Sequence, residues 1–200
     1  QDAVNSSDTH EETNLDVREG PQPVVPGGRQ RRLHIGGTKR KAGWEVFNIQ
    51  DGAHVDHVGD ARDLSRFADG TFSELYASHL LEHFGYRQDL QKTLNEWSRV
   101  LAEGGKISIS VPDHDVLAEM LLDKSASFNE RFYVMRMMFG GQNNDYDFHY
   151  VGLNQDILRH YLAHAGFKQI RRVPSFGIFK DSSEKCFLGR NISLNMTAKK

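Results

Sequence analysis

The stretch from Arg87 to Val111 constrains the fold more than any other part of the chain. Leu90, Leu94, Trp97 and Leu101 recur at helical spacing along one face, and Gly104 and Gly105 are expected to stop that helix. Lys106–Val111 follow at once, and their β-branched residues alternate with polar ones, as in a strand. A helix that runs straight into a strand is half of a strand–helix–strand crossover, the unit from which parallel sheets are built.

The rest of the chain supplies compatible pieces. Residues 31–37 read as a short apolar strand ending in Gly36 and Gly37, and residues 44–50, 54–60 and 73–79 carry further strand patterns. Helical patterns fall at 114–123, 127–138 and 154–165, the last with Asn154 as N-cap and Gly166 as stop. Residues 167–173, 175–179 and 191–198 look like closing strands. The expected architecture is α/β, with a mostly parallel sheet and helices on its faces. In such sheets ligands bind beyond the carboxyl ends of the strands, which directs attention to Gly36, Asn48, Asp60, His79 and Asp113.

Residues 1–30 are polar and acidic, end in Pro and Gly, and are expected to form a disordered tail or linker, with one domain over residues 31–200. The net charge of −2 argues against a general nucleic-acid binder. No run approaches the roughly 18 apolar residues of a membrane span, and a cytoplasmic setting is expected. Cys186 is the sole cysteine, so neither an internal disulfide nor a cysteine zinc site can form within the chain. The 18 glycines against 5 prolines, three of them in the tail at 21, 23 and 26, suggest tight functional turns in the body.

Several groups could carry chemistry. Gly36-Gly37 is either a ligand loop or an ordinary turn. Asn48 is either a strand-end turn residue or a partner for a ribose, where a carboxylate would accept from both hydroxyls. Asp60 could accept from an exocyclic amine or cap the segment 62–67. His79, Glu82 and His83 match H-x-x-E-H, the inverted zinc-protease pattern. However, His79 looks like the end of a strand and no third ligand is evident downstream, so no metal is expected. Residues 140–150 hold many polar and aromatic groups between two helices, which suits a lid or acceptor pocket as well as a plain surface loop.

Three stretches, LHIGG at 33–37, GDARDLSRFADGTFSELYASHLLEHFG at 59–85 and LNEWSRVLAEGGKISISVPD at 94–113, resemble the class I S-adenosylmethionine-dependent methyltransferases. The resemblance is greatest to the small, methyltransferase-type-11-like branch with a short glycine loop and a late GGQ…DFH segment. It covers about residues 31–174. It implies a Rossmann-like three-layer sandwich, whose seven-stranded sheet has an antiparallel last strand, with S-adenosylmethionine over the strand ends. Carried over by position, Gly36 and Gly37 would face the methionine and ribose, Asn48 the ribose, Asp60 and Ala61 the adenine, and Ser78 and His79 the transferable methyl. Two positions depart from the family pattern: Thr38 stands where a third-position glycine is usual, and Asn48 where an acid is usual.

For a hydroxyl acceptor the reaction needs a base, and His79, His83, His149 and Asp113 are the candidates. The resemblance points to a small-molecule, glycan or lipid-linked acceptor. A non-catalytic binding module on the same fold, or a zinc hydrolase using His79 and His83, are the competing readings.

Overall fold

The computed structural model describes residues 30–200; residues 1–29 of the expected tail lie outside the described residues. Strands β1 (Arg32–Ile35), β2 (Glu45–Asn48), β3 (His57–Val58) and β4 (Phe72–Ser78) come first, followed by a single 3₁₀ turn at Leu81–His83. Helix α1 (Asp89–Val100) leads into β5 (Leu101–Pro112), then α2 (His114–Leu122), α3 (Phe128–Phe139), α4 (Gln155–His164) and β6 (Lys168–Arg172). A second 3₁₀ turn at Ser182–Glu184, a small ribbon of β7 (Cys186–Phe187) and β8 (Arg190–Asn191), and β9 (Ser193–Lys199) complete the chain. The sheet order is β3-β2-β1-β4-β5-β9-β6. β9 runs antiparallel to both of its neighbours, and the other six strands are parallel.

Strand composition explains how the layers form. Parallel sheets covered by helices on both faces usually show continuous apolar strands; these strands alternate. Ile35, Ala77, Ile109 and Met196 lie in one register row, and the adjacent row is His34, Tyr76, Ser108 and Thr197. The apolar face packs on α1 and α4, burying Trp97, Leu94, Leu158 and Leu162 in one core. Fully burying each such side chain stabilises the fold by about 1.5–3 kcal/mol.

The polar face is covered by a loop. Phe176, Ile178 and Phe179 pack on Trp44 and Tyr76, and the Tyr76 hydroxyl donates to Asp181 Oδ2 at 2.8 Å. The strand expected at 175–179 is therefore this covering segment, because its apolar side chains fill the sheet face and its backbone pairs with no sheet edge. The connection from β1 to β2 holds no helix, in keeping with the few residues between them.

The expected helix end shifts. α1 stops at Val100, and Leu101 already pairs with Phe72 in the sheet. Gly104 and Gly105 sit in a register shift within β5, where Gly104 has φ of +73°. The helices expected near 114, 127 and 154 form, with Asn154 accepting from Ile157 N as N-cap.

Candidate active site

A cleft of about 380 Å3 opens beyond the carboxyl ends of β1 to β4. Gly36, Asn48, Asp60, Ala61, His79 and His83 line it, between apolar walls that include Phe47, Ile49, Leu80 and Phe84. Gly36 has φ of +74°, and a Cβ there would stand 3.1 Å from Leu80 Cδ2. The turn thus needs glycine both for its backbone conformation and for the cleft floor. Gly37 is different. It is buried and does not line the cleft, and a Cβ on it would reach within 2.7 Å of His34 Nδ1. Its role is packing beneath the loop.

Asn48 explains itself once its partners are known. Its Nδ2 donates to Gly37 O at 2.9 Å and its Oδ1 accepts from Gln50 N at 2.9 Å. An amide can do both, whereas a carboxylate cannot donate. One amide hydrogen and one lone pair remain for a ligand diol. Asp60 accepts from Arg62 N and from the Arg62 guanidinium, so it caps the turn while still facing the cleft. The Arg62 guanidinium holds its carboxyl below the usual range. Ala61 is fixed from behind, where its carbonyl accepts from Trp97 Nε1 at 2.8 Å.

Two expected site residues turn away. The Ser78 hydroxyl contacts Asp181 Oδ1 at 3.3 Å and lines neither cavity, because its register row faces the polar side of the sheet. Asp113 is 1% exposed; it caps α2 through Asp115 N and pairs with Arg172 at 2.7 Å. Both carboxylate oxygens are therefore engaged in holding structure, which leaves Asp113 unsuited to act as a base.

A second cavity, of about 230 Å3, adjoins the first. Tyr133 and Arg136 of α3, Asn143 and His149 of the following loop, and Lys185 line it together with His79. The loop is shaped by Gly140, whose φ is +86° and whose Cβ position is occupied by the Asp147 carbonyl. His149 N donates to Phe139 O and Tyr150 N to Glu82 O, so the loop is tied to both α3 and the first 3₁₀ turn. Lys185 Nζ donates to the Tyr133 hydroxyl at 3.0 Å. Sequence reasoning did not find Arg136 or Lys185, since α3 and the β6–β9 connection meet only in the folded chain.

His79 belongs to both cavities. Its φ is +52°, uncommon for a residue with a side chain. The Ser193 hydroxyl donates to Ser182 O, so His79 Nε2 is the donor in its 2.9 Å contact with Ser193 Oγ. That leaves the Nδ1 lone pair facing Glu82 Oε1, 3.4 Å away. Burial lowers the pKa of His79 to about 4, aided by the field of His149, and burial takes His149 to about 4 as well. Burial raises Glu82 to about 8. His83 Nδ1 donates to Phe148 O at 3.0 Å, and the rings of His83 and His149 meet edge to face at 4.8 Å.

Residues 40–109 match the family described as methyltransferase domain. No curated protein matches the sequence significantly. Among solved structures, a SAM-dependent methyltransferase from Archaeoglobus fulgidus is similar at a TM-score of 0.54 and 16% identity, over 86% of this chain and 86% of that one. A SAM-dependent methyltransferase from Thermotoga maritima gives 0.52 and 16%, over 84% and 81%. The CurJ carbon methyltransferase gives 0.50 and 17%; the match covers 88% of this chain but only 50% of CurJ. At these identities the structures establish the fold, and the family match adds a methyltransferase-domain sequence over residues 40–109. Residues 40–109 thus carry a methyltransferase-domain sequence, and the described chain has the fold of the SAM-dependent methyltransferases to which it is similar.

Proposed function

We propose that the chain methylates a hydroxyl of a negatively charged small-molecule, glycan or lipid-linked acceptor held in the cavity of Tyr133, Arg136 and Lys185. The observation that carries this reading is the wall shared by the two cavities: His79 faces both. A cofactor methyl at that wall lies in line for an acceptor oxygen from the other side. S-adenosylmethionine brings both the methyl group and its leaving group, so the protein has to position and to manage one proton. Gly36 admits the ligand to the loop, Asn48 and Asp60 offer polar contacts, and the apolar walls suit an adenine. His79 stands at the shared wall, with its one unprotonated nitrogen, Nδ1, turned to Glu82. Arg136 and Lys185 outnumber Asp147 among the charged lining groups, which favours an anionic acceptor.

Calorimetry with S-adenosylmethionine and S-adenosylhomocysteine, followed by transfer of a labelled methyl group to a panel of phosphorylated and neutral hydroxyl compounds, tests the reading. Saturable cofactor binding and turnover of the anionic set are expected. Binding without turnover of any acceptor would favour a binding module, and absence of cofactor binding at millimolar concentration would overturn the assignment of the cleft.

A further inference from the structure

Glu82 is 1% exposed, and neither carboxylate oxygen has a hydrogen-bond partner among the described residues. A carboxyl buried without hydrogen-bond partners is either held protonated or compensated by a cation. The surroundings point to a cation. Ligand-capable atoms of Glu82, His83 and His149 all lie within 4.8 Å of one another. The His149 Nδ1 is likewise buried without a partner. His83 donates through Nδ1 to a backbone carbonyl, which fixes the tautomer with a free lone pair on Nε2. Metal-ligating histidines are commonly oriented in this way.

We infer that Glu82, His83 and His149 form a binding site for a divalent transition-metal ion. Two imidazoles and one carboxylate make a three-ligand set that leaves coordination positions open. The H-x-x-E-H pattern contributes its Glu and second His, and the third ligand comes from the loop beyond α3. His79, with its lone pair toward Glu82, lies beside the site. His83 lines the cofactor cleft and His149 the second cavity, so an ion here sits where the two meet. Its role rests on the methyl-transfer reading above: an acceptor hydroxyl in an open position would be oriented and made more acidic.

The test uses the tag-free chain stripped with a chelator, titrated with Zn²⁺ and with Mn²⁺ and checked for stoichiometry by elemental analysis. Co²⁺ absorption reports the ligand set. One ion per chain is expected, with affinity lowered about tenfold or more in Glu82→Gln and in His149→Ala. The double variant His160→Ala/His164→Ala removes an exposed histidine pair and is expected to leave binding unchanged. S-adenosylhomocysteine binding, measured on the same variants, reports whether they fold and whether the cofactor reading holds. Cofactor binding without a metal ion would overturn this inference alone and leave a proton to neutralise Glu82. Metal binding without cofactor would leave the site standing and overturn the cleft assignment. Metal binding lost in the His160/His164 variant would show surface binding and sink the inference.

Discussion

The two cavities that share His79 are built in different ways. The cleft proposed for the cofactor is made by consecutive strand ends: Gly36, Asn48, Asp60 and His79 each follow or close a parallel strand, and the sheet alone brings them together. The second cavity draws on α3, the loop closed by Gly140 and Asp147, and Lys185 beside the last strands. The first is a property of the fold, and the second is a property of this chain. Cofactor recognition should therefore be sensitive to small changes in strand-end loops, while acceptor recognition should change independently of it.

Substitutions can break that separation or sharpen it. The largest effect is expected from Gly36→Val, which combines left-handed backbone strain with contact against Leu80; S-adenosylhomocysteine affinity should fall on the order of 100-fold. Unchanged affinity in calorimetry would mean the ligand enters elsewhere.

Lys185→Met belongs to the other cavity. It removes a charge and the bond to Tyr133, and should lower turnover of an anionic acceptor roughly tenfold, with cofactor affinity within about twofold. Equal losses in both measurements would show that the cavities are not separable.

Asn48→Asp should weaken cofactor binding roughly tenfold, because aspartate cannot donate to Gly37 O and would repel it. Tighter binding would restore the simple expectation that an acid is better for a ribose.

Trp97→Phe leaves the Ala61 carbonyl without its donor and should cost about 1–3 kcal/mol in denaturant unfolding, with only a few-fold loss of cofactor affinity. A stability unchanged within error would mean that water replaces the indole.

Ser78→Ala should do least. Its hydroxyl contacts Asp181 on the far face of the sheet, and cofactor affinity is expected to stay within about twofold. A large loss would return Ser78 to the cleft.

Much of this was legible beforehand for a physical reason. The 3.6-residue period of Leu90, Leu94 and Trp97 and the alternation in β5 are local, and local patterns survive reading in one dimension. The register brings His34, Tyr76 and Ser108 into one row, and a loop, where helices were expected, covers that part of the sheet face. The reading failed where one residue type serves two ends. Glycine at 104 and 105 suits a helix stop, yet here it shapes a register shift, because Leu101 gains more from pairing beside Phe72 than from another helical turn. Alternation at 175–179 suits a strand, yet the polar sheet face needed an apolar cover.

By itself, then, the sequence determined the α/β class, most of the elements and the residues at the strand ends, since those follow from periodicity and chain order. The tertiary structure decided which of them face the cleft: Asp113 and Ser78 were withdrawn into structural pairs, and Gly37 into packing. It alone joined His149 to Glu82 and His83, and Lys185 to Tyr133, across long separations in the chain. Such meetings depend on how loops pack after the sheet has formed, and no short-range pattern encodes them.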